Sequence, residues 1–395
     1  MLQRLHLLFI ALLVLFMHPT TSKAEGVKGD SVVVSLITCH PGDITYELYG
    51  HSALRVQNFT RQTDYVYNYG IFDFESDNFI LRFTLGKTDY MLGVAPYLYF
   101  HYVYASSGRR MDEQVLNLTP NESRRLQALL EENARPENRV YRYNFLKDNC
   151  VTRAVDMVVR AVDGTVKFPE VPADKTYRDM VKEHTAPNPW DRLCQNLMLG
   201  MDVDTLIGMR GQLFAPLYAA NIMAQATITD SAGNTRPLVA KTQILAPDHT
   251  QYAPHPLSPS VIFSALLLLS VIAVWLRYRG WIKTFAAFET PLLLIQGLCG
   301  CVIFTLCFFS EHPAVDDNWN VLLLNPLPLL AIPYQWWTIR KGHRNYYPYV
   351  QLILLAAFAF GIGMLHAQEV VAEVWLIVAI LAVLNLGKMA VPRNV

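Results

Sequence analysis

Four stretches in the last third of this chain, Gln251–Leu276, Thr290–Ser310, Asn318–Ile339 and Asn345–Gln368, contain no Asp, Glu, Lys or Arg. Each reaches the roughly 20 residues that a helix needs to cross the hydrocarbon core of a bilayer. Backbone amides find no water there, so a crossing segment must satisfy them internally, and apolar runs of this length do so as helices. A fifth stretch, Val370–Leu386, crosses if Glu369 and Glu373 stay at the interface. Residues 251–395 therefore read as a C-terminal α-helical transmembrane domain of about five helices.

The charges between these stretches orient them. Arg277, Arg279 and Lys283 follow the first, Arg340, Lys341 and Arg344 the third, and Lys388 and Arg393 the fifth, whereas the alternate loops hold Glu311, Asp316, Asp317, Glu369 and Glu373. The basic loops belong on the cytoplasmic side, which puts the N-terminal part of the chain outside. The N-terminus agrees. Leu7–Phe16 is a short apolar run behind Arg4, and Ser22-Lys23-Ala24 offers small residues for cleavage, so residues 1–24 read as a signal peptide. The near-zero net charge averages two unlike halves and says little.

Residues 25–250 have ordinary polarity and are numerous enough for one sizeable core. We read them as one extracytoplasmic domain. Cysteine usage points to catalysis rather than to a disulfide scaffold. Cys299, Cys301 and Cys307 lie in the second apolar stretch, where a thiol is an ordinary small helix residue. Cys39, Cys150 and Cys194 are odd in number, so one stays unpaired even if Cys39 and Cys194 form a disulfide. There is no metal-ligand spacing, no cofactor motif and no basic patch for nucleic acid. Acids well inside the apolar stretches, which would suggest transport, are missing.

Local patterns place the polar motifs. Val32–Ile37 is a continuous β-branched run, read as a buried strand, and Cys39-His40-Pro41-Gly42-Asp43 ends it with turn chemistry. Ser52–Gln57 reads as a strand with His51 at its mouth. Tyr65–Phe74 is an aromatic strand interrupted by Gly70, paired with the strand of His51. Asn121–Ala134 is a helix with a capping box at Thr119 and Glu122, and Val140–Phe145 alternates like a strand. Cys150 then opens a helical run through Val162, with Asp148 or Asn149 as its cap. The result is an α+β domain.

A thiol becomes a strong nucleophile when an imidazole takes its proton, and a helix N-terminus favours the thiolate. Cys150 sits at such a terminus, in Lys147-Asp148-Asn149-Cys150-Val151-Thr152-Arg153, and His51 lies in Tyr49-Gly50-His51-Ser52. Backbone amides at Cys150 are the first candidates for an oxyanion site. A third residue should orient His51, and Asn68, Tyr69 and Asp73 on the adjacent strand are all open; alternation puts Asn68 on one face and Tyr69 and Asp73 on the other unless Gly70 makes a bulge. Other features have plainer readings. Arg153 and Asp156 read as a salt-bridged helix face, His40 as a turn residue, and Trp190–Tyr218 as helical packing that leads toward the membrane. Tyr97–Tyr104 could line an acyl channel, lie at the membrane surface or pack in the core. Thr227–Gln243 reads as a hairpin, and Pro254, Pro256 and Pro259 as a stiff entry to the first span.

A His-bearing strand followed by a polar strand and an Asn-Cys pair opening a helix resembles the circularly permuted papain-like fold of NlpC/P60 and lecithin:retinol acyltransferase enzymes. More closely, the chain resembles the Lnb-type lipoprotein N-acyltransferases of Bacteroidota. The residues that carry this are Thr38-Cys39-His40-Pro41-Gly42, Tyr49-Gly50-His51-Ser52, Tyr67-Asn68-Tyr69-Gly70-Ile71-Phe72-Asp73-Phe74, Asn138-Arg139-Val140-Tyr141 and Asp148-Asn149-Cys150-Val151-Thr152-Arg153. The resemblance implies an enzyme without cofactor in the bacterial inner membrane. It would move an acyl chain from a phospholipid, through a thioester on Cys150, to the α-amino group of a diacylated lipoprotein, with His51 as acid and base. Asn68, Tyr69, Asp73 and Asn149 are the supporting candidates. A membrane-anchored cysteine amidase acting on cell-wall peptides would use the same pair, and a non-enzymatic envelope assembly factor would need neither.

Overall fold

The structure is a computed structural model that describes residues 31–390 apart from 74, 76 and 252–255. The signal-peptide segment, Phe74 of the aromatic motif and Pro254 lie outside the described residues.

β-branched and aromatic runs pair side by side because each buries one face against its neighbour's. Six early strands do so: β1 (Val32–Cys39), β2 (His51–Asn58), β3 (Thr63–Ile71), β4 (Asp89–Pro96), β5 (Met111–Leu116) and β6 (Val140–Arg142). Five short strands follow: β7 (Thr165–Lys167), β8 (Lys175–Thr176), β9 (Leu206–Ile207), β10 (Thr227–Thr229) and β11 (Thr235–Pro237). The last strand is β12 (Val239–Ala246). The main sheet has seven antiparallel strands in the order β12-β5-β1-β2-β3-β4-β6, so the strand of His51 lies at its centre. The hairpin read over Thr227–Gln243 is β10–β11, joined by β7, but its tail does not stay with it. β12 crosses back to the main sheet and pairs with β5, with Val239 opposite Leu116.

The sheet carries different layers on its two faces. Leu54, Val56, Tyr67 and Tyr69 pack under the helices Pro120–Asn133 and Cys150–Ala161. Val151, Val155 and Val158 of the second helix are almost wholly buried there, each contributing about 1.5–2 kcal/mol of apolar burial. The capping box of Thr119 and Glu122 is formed. The opposite face carries Ile37, Cys39, Ala53 and Val66 beneath the helix Tyr97–Ser106, which inserts Phe100. Arg55 clamps that helix, stacking on the Tyr97 ring at 3.4 Å while bonding Asp64 and Glu113. Arg153 and Asp156 do not pair: Arg153 bonds Asp148 and lies 3.5 Å over Tyr141, and Asp156 bonds Arg210. All six cysteines are free, with Cys39 in the sheet and Cys194 at the surface.

Among the described residues three helices are long and apolar enough to cross a membrane: Pro259–Tyr278, Ile282–Phe309 and Ala372–Met389. Tyr347–Gly363 is apolar but has 17 residues. The stretch Asn318–Ile339 is divided into Asn320–Leu323 and Leu327–Lys341. Pro326 supplies no amide for a continuous ladder, and the Asn325 side chain starts the second helix by accepting from Leu327 N–H at 3.1 Å. The second spanning helix also begins earlier than its charge-free run. It takes in Glu289, which is buried against Lys388 of the last helix at 2.6 Å, so one ion pair does lie inside the helical bundle. The pairing neutralises both charges where water is scarce.

The two halves meet through the acidic loops. Glu311 bonds Arg142, Glu369 bonds Lys182, and Glu373 bonds Arg192 at 2.8 Å. Asn318 and Gln368 donate to the carbonyls of Leu197 and Leu199, and Leu193 enters an apolar cluster with Ile303 and Leu323. The reading of Trp190–Tyr218 as packing toward the membrane matches this. Arg277, Arg344 and Lys388 gather around one cavity at the other end of the helices from these contacts.

Candidate active site

Each element delivers one side chain to the same end of the sheet. β1 and β2 pair with Cys39 opposite His51, and Gly50 makes the turn into β2 at φ +78°, a conformation that favours glycine. A side chain at Gly50 would also strike the Cys39 carbonyl at 2.6 Å. β3 brings Asn68 up beside His51. Its pairing with β4 shifts register between Asn68 and Ile71, where Gly70 has φ +92°. That irregularity leaves room for the nucleophile, since a Cβ on Gly70 would stand 3.7 Å from that of Cys150.

The helix Cys150–Ala161 starts at this opening because Asn149 caps it. Its side-chain oxygen accepts from Val151 and Thr152 N–H, the Thr152 hydroxyl accepts from Asn149 N–H, and its amide donates to the carbonyls of Phe145 and Phe214 at 2.9 and 2.7 Å. Asp148 is engaged by Arg153 instead. The cap pins the first helical turn from four directions, so the position of Cys150 follows from it.

His51 Nε2 donates to Asn68 Oδ1 at 2.5 Å. A carbonyl oxygen only accepts, so Nε2 carries a proton and Nδ1 is the nitrogen left to face the thiol. Cys150 is hydrogen-bonded to His51, and its sulfur also accepts from the backbone N–H of Ser52 and Val151. Burial pushes the thiol up, but the His51 charge and hydrogen bond, helped by those two amides, bring it below its ordinary value of 9.0. Burial pulls the imidazole down, and the Cys150 charge, the Cys150 hydrogen bond and the Asn68 hydrogen bond together raise it above 6.5. Both directions favour a thiolate–imidazolium pair.

Tyr69 and Asp73 stand elsewhere. Tyr69 is fully buried on the other face of the sheet and donates to Asn133 at 2.6 Å; Asp73 lies in the turn beyond β3 and accepts from Glu75 N–H. His40 is bonded to Asp112 at 2.7 Å and holds the turn after β1.

Two tyrosines that the sequence reading did not single out for this chemistry complete the site. Tyr104 of the helix Tyr97–Ser106 stacks parallel to His51 at 6.1 Å, with Arg109 beneath it at 4.8 Å. Tyr143 lines the same cavity as Cys150, and burial, reinforced by the nearby thiolate, holds its phenol proton well above the ordinary range. A protonated phenol in that wall is a candidate donor to an oxyanion formed on the sulfur's substrate. Nothing in the alternation of Val140–Phe145 marks Tyr143; only its packing does. Cys39, one strand away, is kept protonated by burial against the opposing charge of Arg109.

A cavity of about 800 Å³ opens over Cys150, His51 and Asn68, walled by Ile71, Phe72, Phe83 and Tyr90. Among the described residues no cluster of His, Cys, Asp or Glu could hold a metal ion. Residues 21–183 match a family model described as the Lnb N-terminal periplasmic domain, and residues 251–391 match one described as the Lnb transmembrane domain. No curated protein and no solved structure matches the chain.

Proposed function

Because the chain belongs to the Lnb family, a membrane protein with a periplasmic N-terminal domain, we propose that it is a lipoprotein N-acyltransferase of the bacterial inner membrane. The observation that carries this reading is the Cys150–His51–Asn68 constellation at the base of an apolar cavity. In the first half-reaction the Cys150 thiolate attacks the ester carbonyl of a phospholipid. The ester C–O bond breaks, the lyso-lipid oxygen takes the imidazolium proton of His51, and the acyl chain remains as a thioester. In the second, the free α-amine of a diacylated lipoprotein attacks the thioester, gives its proton to His51, and the thiolate leaves. Both steps pass through an oxyanion, for which the Tyr143 hydroxyl and the Cys150 and Ser52 amides are the candidate donors; removal of one such donor costs about 3 kcal/mol in known cases. Asn68 positions His51, and Asn149 positions Cys150.

The test is expression of wild type and Cys150→Ser in a host lacking its own lipoprotein N-acyltransferase, with mass spectrometry of one lipoprotein's N-terminal peptide. A third acyl chain with wild type alone is the expected result. Acylation by the serine variant would overturn the thioester mechanism, and no added chain with either would favour the amidase.

A further inference from the structure

The aromatic wall of the cavity over Cys150 touches the membrane domain through Phe83 and His312. Tyr143, which lines the cavity with Cys150, stacks on Tyr90 at 4.3 Å; Tyr90 meets Phe72 at 5.0 Å, Phe72 meets Phe79 at 5.8 Å, and Phe79 meets Phe83 at 5.8 Å. Phe83 in turn packs edge-on to His312, just past the end of the spanning helix Ile282–Phe309. A continuous aromatic wall thus runs from the nucleophile to the outer end of a membrane helix.

Phe79 is shared with a second groove of about 670 Å³, between the short helix Phe79–Thr84 and the spanning helix. Its lining is mainly apolar: Ile80 and Leu81 on one side, Cys301, Val302 and Thr305 on the other. Cys301 lies eight residues before Phe309, so at ~1.5 Å per residue the groove reaches roughly 12 Å below the helix end, into the depth of hydrocarbon. Ile80 and Leu81 are 80% and 58% exposed, which is unfavourable in water and ordinary against lipid.

We propose that the groove between Phe79–Thr84 and Ile282–Phe309 is the lateral entrance through which one acyl chain of a bilayer phospholipid reaches Cys150. This rests on the acyl-transfer reading above. The chain slides past Phe79 along the aromatic wall, which brings the ester carbonyl to the thiolate while the headgroup stays in the periplasmic domain. The occupant is a lipid tail rather than a polypeptide helix because the groove opens beside a spanning helix and shares Phe79 with the cavity of the nucleophile.

The test uses the full-length protein in vesicles of dioleoyl phosphatidylethanolamine, and in parallel p-nitrophenyl butyrate as a short, water-soluble donor that needs no membrane route. Thioester on Cys150 is read by mass spectrometry and nitrophenol by absorbance. Val302→Trp and Leu81→Trp should slow acylation from the lipid by about tenfold or more, a loss typical of obstructed substrate positioning, and leave the butyrate reaction within about twofold. Phe308→Trp, on the same helix outside the groove, should change neither. Wild-type lipid acylation in both groove variants would overturn the proposal and leave the groove a seat for something else; equal loss with both donors would also overturn it, as damage at the site. If wild type reacts with the butyrate ester but never with the lipid, the acyl-transfer reading falls and the route with it.

Discussion

At the residue scale, the charges of Cys150 and His51 depend on one another. The thiol of Cys150 is lowered and the imidazole of His51 raised, and both shifts favour the ion pair as the reacting form. The acidic limb of kcat/KM should therefore fall below the ordinary thiol value of 9.0, and the alkaline limb above the ordinary imidazole value of 6.5. Asn68→Ala removes a hydrogen bond that raises the imidazole. We expect the alkaline limb to move to lower pH and kcat/KM at neutral pH to drop about tenfold, measured as a pH profile of thioester formation. Tyr143→Phe deletes the phenol proton and keeps the ring in its stack on Tyr90. Single-turnover acylation should slow by about 10²-fold with little change in thermal stability; an unchanged rate would remove Tyr143 from the oxyanion site.

At the scale of elements, the site is a junction of strand ends and a helix start, and its stability is local. Asn149→Ala should lower unfolding stability by about 1–2 kcal/mol from the lost cap alone, read by thermal or denaturant unfolding of the detergent-solubilised protein. Asn149→Asp keeps the cap but cannot donate to the Phe145 and Phe214 carbonyls, so it should recover only part of that loss. Gly70→Val forces a branched side chain to φ +92° beside Cys150, at a backbone cost of about 1–3 kcal/mol. Its acylation rate should fall even at temperatures where the fold is retained. Most of these elements were readable in the chain because their patterns are local: the β-branched run of β1, the aromatic run of β3, the box of Thr119 and Glu122, the Asn-Cys helix start. β12 was not, because its partner β5 is more than a hundred residues distant and its exposed edge carries no strong alternation.

At the scale of the whole molecule, the periplasmic domain is seated on the outer ends of the helices through charged loops. Glu373 is nearly buried and Arg192 about a third exposed, so Arg192→Glu should destabilise the protein by about 1–2 kcal/mol after allowance for solvent screening. Adding Glu373→Arg should restore part of the loss, and a double-mutant cycle on thermal unfolding measures the coupling. A coupling near zero would mean that this contact does not help to hold the halves together. Such seating brings Phe83, in the wall of the Cys150 cavity, against His312 just past the helix Ile282–Phe309, which no pattern within either half requires.

What the sequence determined by itself was whatever depends on neighbours along the chain or on summed composition: apolar length, loop charge, strand and helix type, and the thiol at a helix N-terminus. Those quantities act through desolvation and backbone hydrogen bonding within a few residues, so a short window contains them. The tertiary structure decided the rest. Asn68 rather than Tyr69 meets His51 because β3 turns only one face there, while Asp73 lies beyond the strand; Tyr143 joins Cys150 in the cavity wall, and Glu289 meets Lys388. Most of these contacts join groups distant in sequence, and they form only when sheet register and helix packing bring the groups within hydrogen-bonding reach.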